Sequence, residues 1–317
     1  MNVLAYYLNK IERLCIDRSH GIPASHKPIL LLAVIDLIEE GTITNNQIEP
    51  SPQLVESFLK YWHLVNLDKP RIFLPFFHLK SDKFWHLHAK PGNEQLLAMT
   101  KQMNSMTHLA SIVAFVSLDE DLFLLLHRAD AREVIRRKII EVYFPEQAEK
   151  FRRAISENQE INSIENLLLK EAENKTSNIS SDISKVITDT PKRNIAFRRA
   201  IIKLYDYTCA ACRLRIITLD GETAVEAAHI FPFAKSFDDS IGNGLALCPL
   251  HHWSFDKGLF SIEDNYKMIV STNFEESGNE AFLLRSLQSR EIYLPKEKPF
   301  RPSLTMIRWH RQNAFNL

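Results

Sequence analysis

The sequence predicts an α+β protein of two domains: a mainly helical N-terminal domain over residues 1–145 and a mixed, metal-held C-terminal domain over 191–317, joined by a helical or flexible linker over 146–190. Three observations predict it. The first segment is rich in apolar residues at helical spacing, the stretch after it is polar and rich in Asn, Ser and Glu, and three of the four cysteines fall within residues 209–248. A chain of 317 residues also exceeds what one core usually serves.

Composition bounds the function classes. With 45% hydrophobic and 25% charged residues the chain is an ordinary folded protein, not a disordered one. Formal net charge is zero, so affinity for a polyanion has to come from a local basic surface. MNVLAYYLNKIERLC carries charges where a signal peptide needs an apolar stretch, and no run reaches the roughly 18–20 apolar residues that span a bilayer. No membrane association and a cytoplasmic location are therefore expected. In that reducing setting Cys15, Cys209, Cys212 and Cys248 are not expected to form a disulfide framework.

Within the first domain, His26-Lys27-Pro28 leads into ILLLAVIDLIEEG, a buried helix whose Gly41 suits its C-terminal cap. Leu54–Leu67 has helical spacing, with Phe58, Tyr61, Trp62 and Val65 on one side. IFLPFFHL and FWHLHA, dense in aromatics and broken by Pro75, read as short strands around a turn or edge. A further helix is expected from Ala129 to Tyr143. Near the end, FRPSLTMIRWHRQNAF reads as a closing helix that packs Trp309 and Phe315 inward.

Two nested patterns run through CAACRLRIITLDGETAVEAAHIFPFAKSFDDSIGNGLALCPLHHWSFDKGLF. Cys209-x2-Cys212 followed by Cys248-x2-His251 gives two short-spaced pairs, which suits a closed, structural tetrahedral Zn²⁺ site. The alternative is three buried thiols and a surface histidine. The second pattern is His229, Asn243, His252 and Asp256. His252 and Asp256 are four apart on an expected helix, so both emerge on one face, where they suit Mg²⁺ or Mn²⁺.

With these residues the chain resembles the HNH (ββα-metal) endonucleases, from about Phe197 to the C-terminus, through the AAHI strand, the NGLALC stretch and the HHWSFDKGLF helix. The resemblance implies a hairpin presenting His229 as general base, a helix presenting His252 and Asp256 to a catalytic Mg²⁺ or Mn²⁺, and Asn243 bracing the loop that holds His229. The glycines at 242 and 244 would allow the tight backbone this needs. Many members carry an Asp or His immediately before the base histidine, where this chain has Ala228; Glu226, two residues earlier on the same strand face, is the candidate replacement ligand. The alternative for Glu226 is a surface glutamate paired with a lysine. Upstream, Lys192, Arg193, Arg198, Arg199, Lys203, Arg213 and Arg215 meet only Asp206 among carboxylates, a stretch that suits phosphate binding or a solvated helix face.

ASHKPILLLAVIDLIEEG, FLKYWHLV and FLPFFHLKSDKFWHL resemble the sulfur-binding domain of phosphorothioate-dependent restriction endonucleases, over roughly residues 1–145. That resemblance implies a DNA-binding pocket of His26, Lys27, Leu74, Pro75 and His78, with Leu74 standing where an aromatic residue is expected. An apolar cup favours sulfur over oxygen because sulfur is larger, more polarizable and less strongly hydrated. Lys27 would meet the remaining charge, and Lys80, Lys83, Arg132, Arg136 and Arg137 could add phosphate contacts.

The resulting expectation is a modification-dependent restriction endonuclease that acts on phosphorothioate-modified double-stranded DNA, with homodimerisation hinted at by two-strand cutting. Two alternatives stand beside it: an HNH endonuclease triggered by another modification or site, and a non-catalytic, zinc-stabilised DNA-binding protein.

Overall fold

The segment from Ile29 to Ile38 is apolar on almost every side, and such a helix has to be surrounded. The computed structural model, which describes residues 2–16, 25–65, 70–174, 190–218 and 222–315, surrounds it. The chain divides into two compact units, Met1–Ser156 with Thr218–Glu222, and Glu157–Ile217 with Thr223–Leu317.

In the first unit, α1 (Val3–Glu12) precedes the central α2 (His26–Glu39), which is buried from Lys27 through Ile38. Gly41 follows it at φ +74°, the left-handed value expected of a residue just past a helix end. α3 (Pro52–Val65) and α4 (Phe73–His78) pack against α2, and a single 3-10 turn, Leu79–Asp82, leads to strand β1 (Trp85–Ala89). After α5 (Glu94–Met99) and α6 (Met106–Ile112), β2 (Val113–Leu118) returns antiparallel to β1, from Trp85 opposite Leu118 to Ala89 opposite Val113. α7 (Glu120–His127) and α8 (Ala129–Tyr143) complete the wall around α2.

Two expectations are corrected here. The stretch Phe73–His78 is helical, not a strand. Pro75 sits in the first turn, where its missing N–H is not needed, while Phe76 and Phe77 drop into the core and the Trp85 indole donates to the Phe76 carbonyl at 2.8 Å. Arg132 and Arg136 are not phosphate contacts. α2 carries a buried Asp36, and Arg136, 1% exposed, pairs with it at 3.1 Å and with Glu39 at 2.6 Å; Arg132 joins Glu39 at 3.4 Å. Tyr61 and Lys60 also donate to Asp36. A carboxylate inside an apolar helix bundle is tolerable only when it is paired in this way.

The polar connector is helical as far as it is described: α9 (Ala148–Asn174) begins in the first unit and continues in the second, and residues 175–189 lie outside the described residues. The second unit adds α10 (Thr190–Leu204), strand β3 (Glu226–His229), the short α11 (Phe233–Ser236) and strand β4 (Gly244–Leu247), antiparallel to β3 with His229 opposite Gly244. α12 (Pro249–Asp256) follows directly. β5 (Phe260–Ile262) and β6 (Met268–Val270) form a second antiparallel pair, and α13 (Leu304–Asn313) closes the unit. Trp309 stacks on Phe231 at 4.0 Å, while the fully inward residues of α13 are Ile307 and His310. Among the described residues no helix is long and apolar enough to cross a membrane.

Candidate active site and a second cavity

A tight knuckle after α10 carries Cys209 and Cys212: the Arg213 N–H donates to the Cys209 carbonyl at 2.9 Å, and Arg213 adopts φ +62°. Cys248 caps α12 and His251 lies in its first turn. The four donor atoms lie within 4.8 Å of one another, with the Cys248 sulfur 3.0 Å and the Cys209 sulfur 3.7 Å from His251 Nδ1. Tetrahedral zinc with bonds near 2.3 Å separates its ligands by about 3.7 Å, so this set could hold zinc. Its chemistry agrees. Hydrogen bonds from Cys212 and Cys248 drive the Cys209 thiol down, and those with Cys209 and Cys248 drive Cys212 upward. Three crowded sulfurs cannot all ionise without a cation among them.

His229 is the last residue of β3. Its ring stacks on Phe197 of α10 (4.3 Å, 10° between planes) and meets Phe233 at 5.6 Å. Its Nε2 lies 2.8 Å from Oδ1 of Asp239, which is fully buried. Asn243, also fully buried, ties the following loop together: its Oδ1 accepts from the Phe231 N–H at 2.8 Å, and its Nδ2 donates to the carbonyls of Phe231 (3.0 Å) and Asp238 (2.8 Å). The need for glycine at 244 differs from the expected backbone freedom. Gly244 has ordinary extended angles, φ −117° and ψ 143°, but a Cβ there would sit 2.3 Å from Ile201 Cδ1. Glycine lets α10 lie directly on the hairpin.

Glu226 does reach across to α12: its Oε2 is 2.9 Å from His252 Nδ1. Asp256 meets the other ring nitrogen, Nε2, at 3.6 Å. The two carboxylates therefore address opposite edges of one imidazole. His252 could hold a hard divalent cation with one or the other carboxylate, completed by water and phosphate oxygens, but this arrangement does not bring both carboxylates to one ion. Strand alternation places Glu226 and Ala228 on one face of β3 and His229 on the other.

The expected phosphate-binding stretch is largely neutralised. Lys192 pairs with Glu160, Arg199 and Lys203 with Glu165, Arg193 with Asp239 and Arg215 with Asp206. Arg198 and Arg213 are exposed, with no ion pair among the described residues.

In the first unit a cavity of about 440 Å³ is lined by Cys15, Ile16, His26, Lys27, Leu74, Pro75, His78 and Ser81. All five expected pocket residues meet there. Burial and the charge of Arg71 lower the His26 pKa, and burial with Lys27 and Lys80 lowers that of His78. Lys27 has no free donor for a ligand, although its charge is felt at His78. Its three donors are spent on the Cys15 carbonyl (2.7 Å), Ser81 Oγ (2.9 Å) and Asp82 Oδ2 (2.7 Å). Arg71, near enough to act on His26, is exposed and forms no ion pair among the described residues. Neither Arg71 nor Asp239 was legible in the sequence, because each sits in a polar turn that reads as solvated.

Residues 209–263 match the family model described as HNH endonuclease. The C-terminal unit thus carries an HNH endonuclease domain, a class that uses a divalent metal and cuts DNA. Residues 5–151 match the model described as a ScoMcrA-like DNA sulfur-binding domain, and the chain joins the two in that order. One solved structure, titled "Modification dependent TagI restriction endonuclease", is similar at 23% identity and a TM-score of 0.31 over 44% of this chain. The match spans 45% of that protein, less than half its length. No curated protein matches.

Proposed function

We propose that the protein is a restriction endonuclease that detects a phosphorothioate linkage in double-stranded DNA and hydrolyses a phosphodiester bond nearby. The observation that carries this reading is that one chain joins a sulfur-binding domain, whose expected cup residues line one cavity, to an HNH domain. In the cup, Leu74, the Pro75 ring and two histidines held toward their neutral forms offer a weakly hydrating surface, which favours sulfur over a phosphate oxygen. Lys27 holds the wall by tying the chain at Cys15 to Ser81 and Asp82, and Arg71 and Lys80 meet the remaining phosphate charge.

In the HNH domain His229 takes the proton from the attacking water, and Asn243 holds the loop that orients it. His252 with Asp256 or Glu226 would hold Mg²⁺ or Mn²⁺, which supplies positive charge beside the scissile phosphate and its leaving oxygen. Cys209, Cys212, Cys248 and His251 would hold Zn²⁺, which would lock the knuckle after α10 to the start of α12. Cutting both strands in one encounter calls for two such domains, which points to a homodimer on the duplex. His229→Ala should abolish cleavage while leaving affinity for the modified duplex intact; retained cleavage would remove the base assignment.

A further inference from the structure

The reading of His229 as the base leaves open which ring nitrogen acts and what holds the ring. Asp239 bears on both. Its carboxylate is fully buried, its Oδ1 lies 2.8 Å from His229 Nε2, and its Oδ2 accepts no hydrogen bond from the described residues while facing Arg193 Nε at 3.5 Å. A buried carboxylate is costly even when paired. As a mere loop staple it would be redundant, since Asn243 already makes three hydrogen bonds to this loop and Asp238 Oδ1 accepts from the Ser240 N–H at 2.7 Å.

We propose that Asp239 is a positioning residue for His229: it accepts from Nε2–H, fixes that tautomer, and leaves Nδ1 as the nitrogen that takes the proton from water. An ionised carboxylate beside a guanidinium can only accept, so the proton has to sit on Nε2. Phe197 and Phe233 restrain the ring itself, and Arg193, held on α10, restrains Asp239. Among the elements packed on the ring, the loop contributes Asp239, α10 contributes Arg193 through it, and Phe197, Phe233 and Gly244 bring no charge. This inference rests on the base role of His229 and deepens it.

The test uses the full-length protein, a phosphorothioate duplex and single-turnover cleavage across pH. Asp239→Asn presents an amide that donates to Nε2 and drives the proton to Nδ1. The cleavage rate should fall on the order of 10²–10⁴-fold with duplex affinity unchanged. Losing the buried negative charge also destabilises the imidazolium, so the acidic limb of the pH–rate profile should move to lower pH. Arg193→Gln leaves that charge less compensated and should move the limb to higher pH. Damage to the fold does not produce opposite shifts. An unchanged rate and limb in Asp239→Asn would overturn the proposal, as would an unmoved limb in Arg193→Gln if Asp239→Asn fails to fold. His229→Ala, run in parallel, separates the two levels. If it still cuts, the base reading falls and this proposal with it; if it is inactive while Asp239→Asn is normal, only the tautomer assignment falls.

Discussion

Removing the Asn243 side chain isolates what the loop after His229 is worth. Asn243→Ala keeps the backbone bond from the Ile230 N–H to the residue 243 carbonyl at 2.9 Å, so only the amide is lost. Three backbone groups lose the amide: the Phe231 N–H and the Asp238 carbonyl lose their side-chain partner, and the Phe231 carbonyl keeps only a longer bond from Ser236 Oγ at 3.4 Å. At about 1–3 kcal/mol for each buried group left unmade the sum runs to roughly 3–9 kcal/mol. Water entering the vacated space offsets part of it, so a loss near the lower bound, about 3–4 kcal/mol, is expected. For a unit of this size that corresponds to a melting point lower by about 6–15 °C. Calorimetry of the full chain, with affinity for modified duplex measured alongside, should show the drop in the HNH unit only, with cleavage strongly reduced. A melting point within about 2 °C of the parent would refute the bracing role, because it would mean the three backbone groups are satisfied without the amide.

Four further outcomes are expected. Lys27→Ala strands the buried Asp82 carboxylate and should cost the N-terminal unit about 3–5 kcal/mol, read as a lower urea midpoint; an unchanged midpoint would show that the pair is not structural. Leu74→Asp places a charge in the cup and should cut affinity for a phosphorothioate duplex by more than about tenfold without changing the stability of the HNH unit; undiminished binding in an anisotropy titration argues against the cup. Cys248→Ser should lower the bound zinc measured by mass spectrometry and destabilise the second unit, whereas a full zinc content would exclude Cys248 as a ligand. Burial pulls His310 down to about 4, so between about pH 6.5 and 4 the unfolded chain binds more protons than the folded one. Stability is then fully present above pH 6.5 and falls by about 3 kcal/mol on acidification to pH 4; His310→Gln should flatten that slope in urea titrations at stepped pH.

What could be read in advance follows from how local each signal is. The Cys209–Cys212 and Cys248–His251 pairs close on their own short knuckles, so spacing alone brings each pair together. His26 and Leu74 share a cavity although they are far apart in sequence, and only the family resemblance linked them. Aromatic density around Pro75 carries no period, so a strand and a first-turn proline were equally compatible with it until the core decided. The basic run on α10 looked unpaired because its partners, Glu160 and Glu165, lie on α9, in what read as a polar connector. Asp36 buried Arg136 from 100 residues away, a pairing no local pattern announces. Asp238 and Asp239 look alike in sequence; one turns back to its own loop and the other goes into the interior to His229.

Cleavage of two duplexes identical except for one backbone sulfur, with Mg²⁺ or Mn²⁺ supplied and a chelator as control, decides whether sulfur licenses cutting. The sulfur-bearing duplex should be cut, its oxygen twin cut little, and neither cut with the ion removed. Equal cutting of the two duplexes, or none of the modified one with the ion present, would contradict the proposed function.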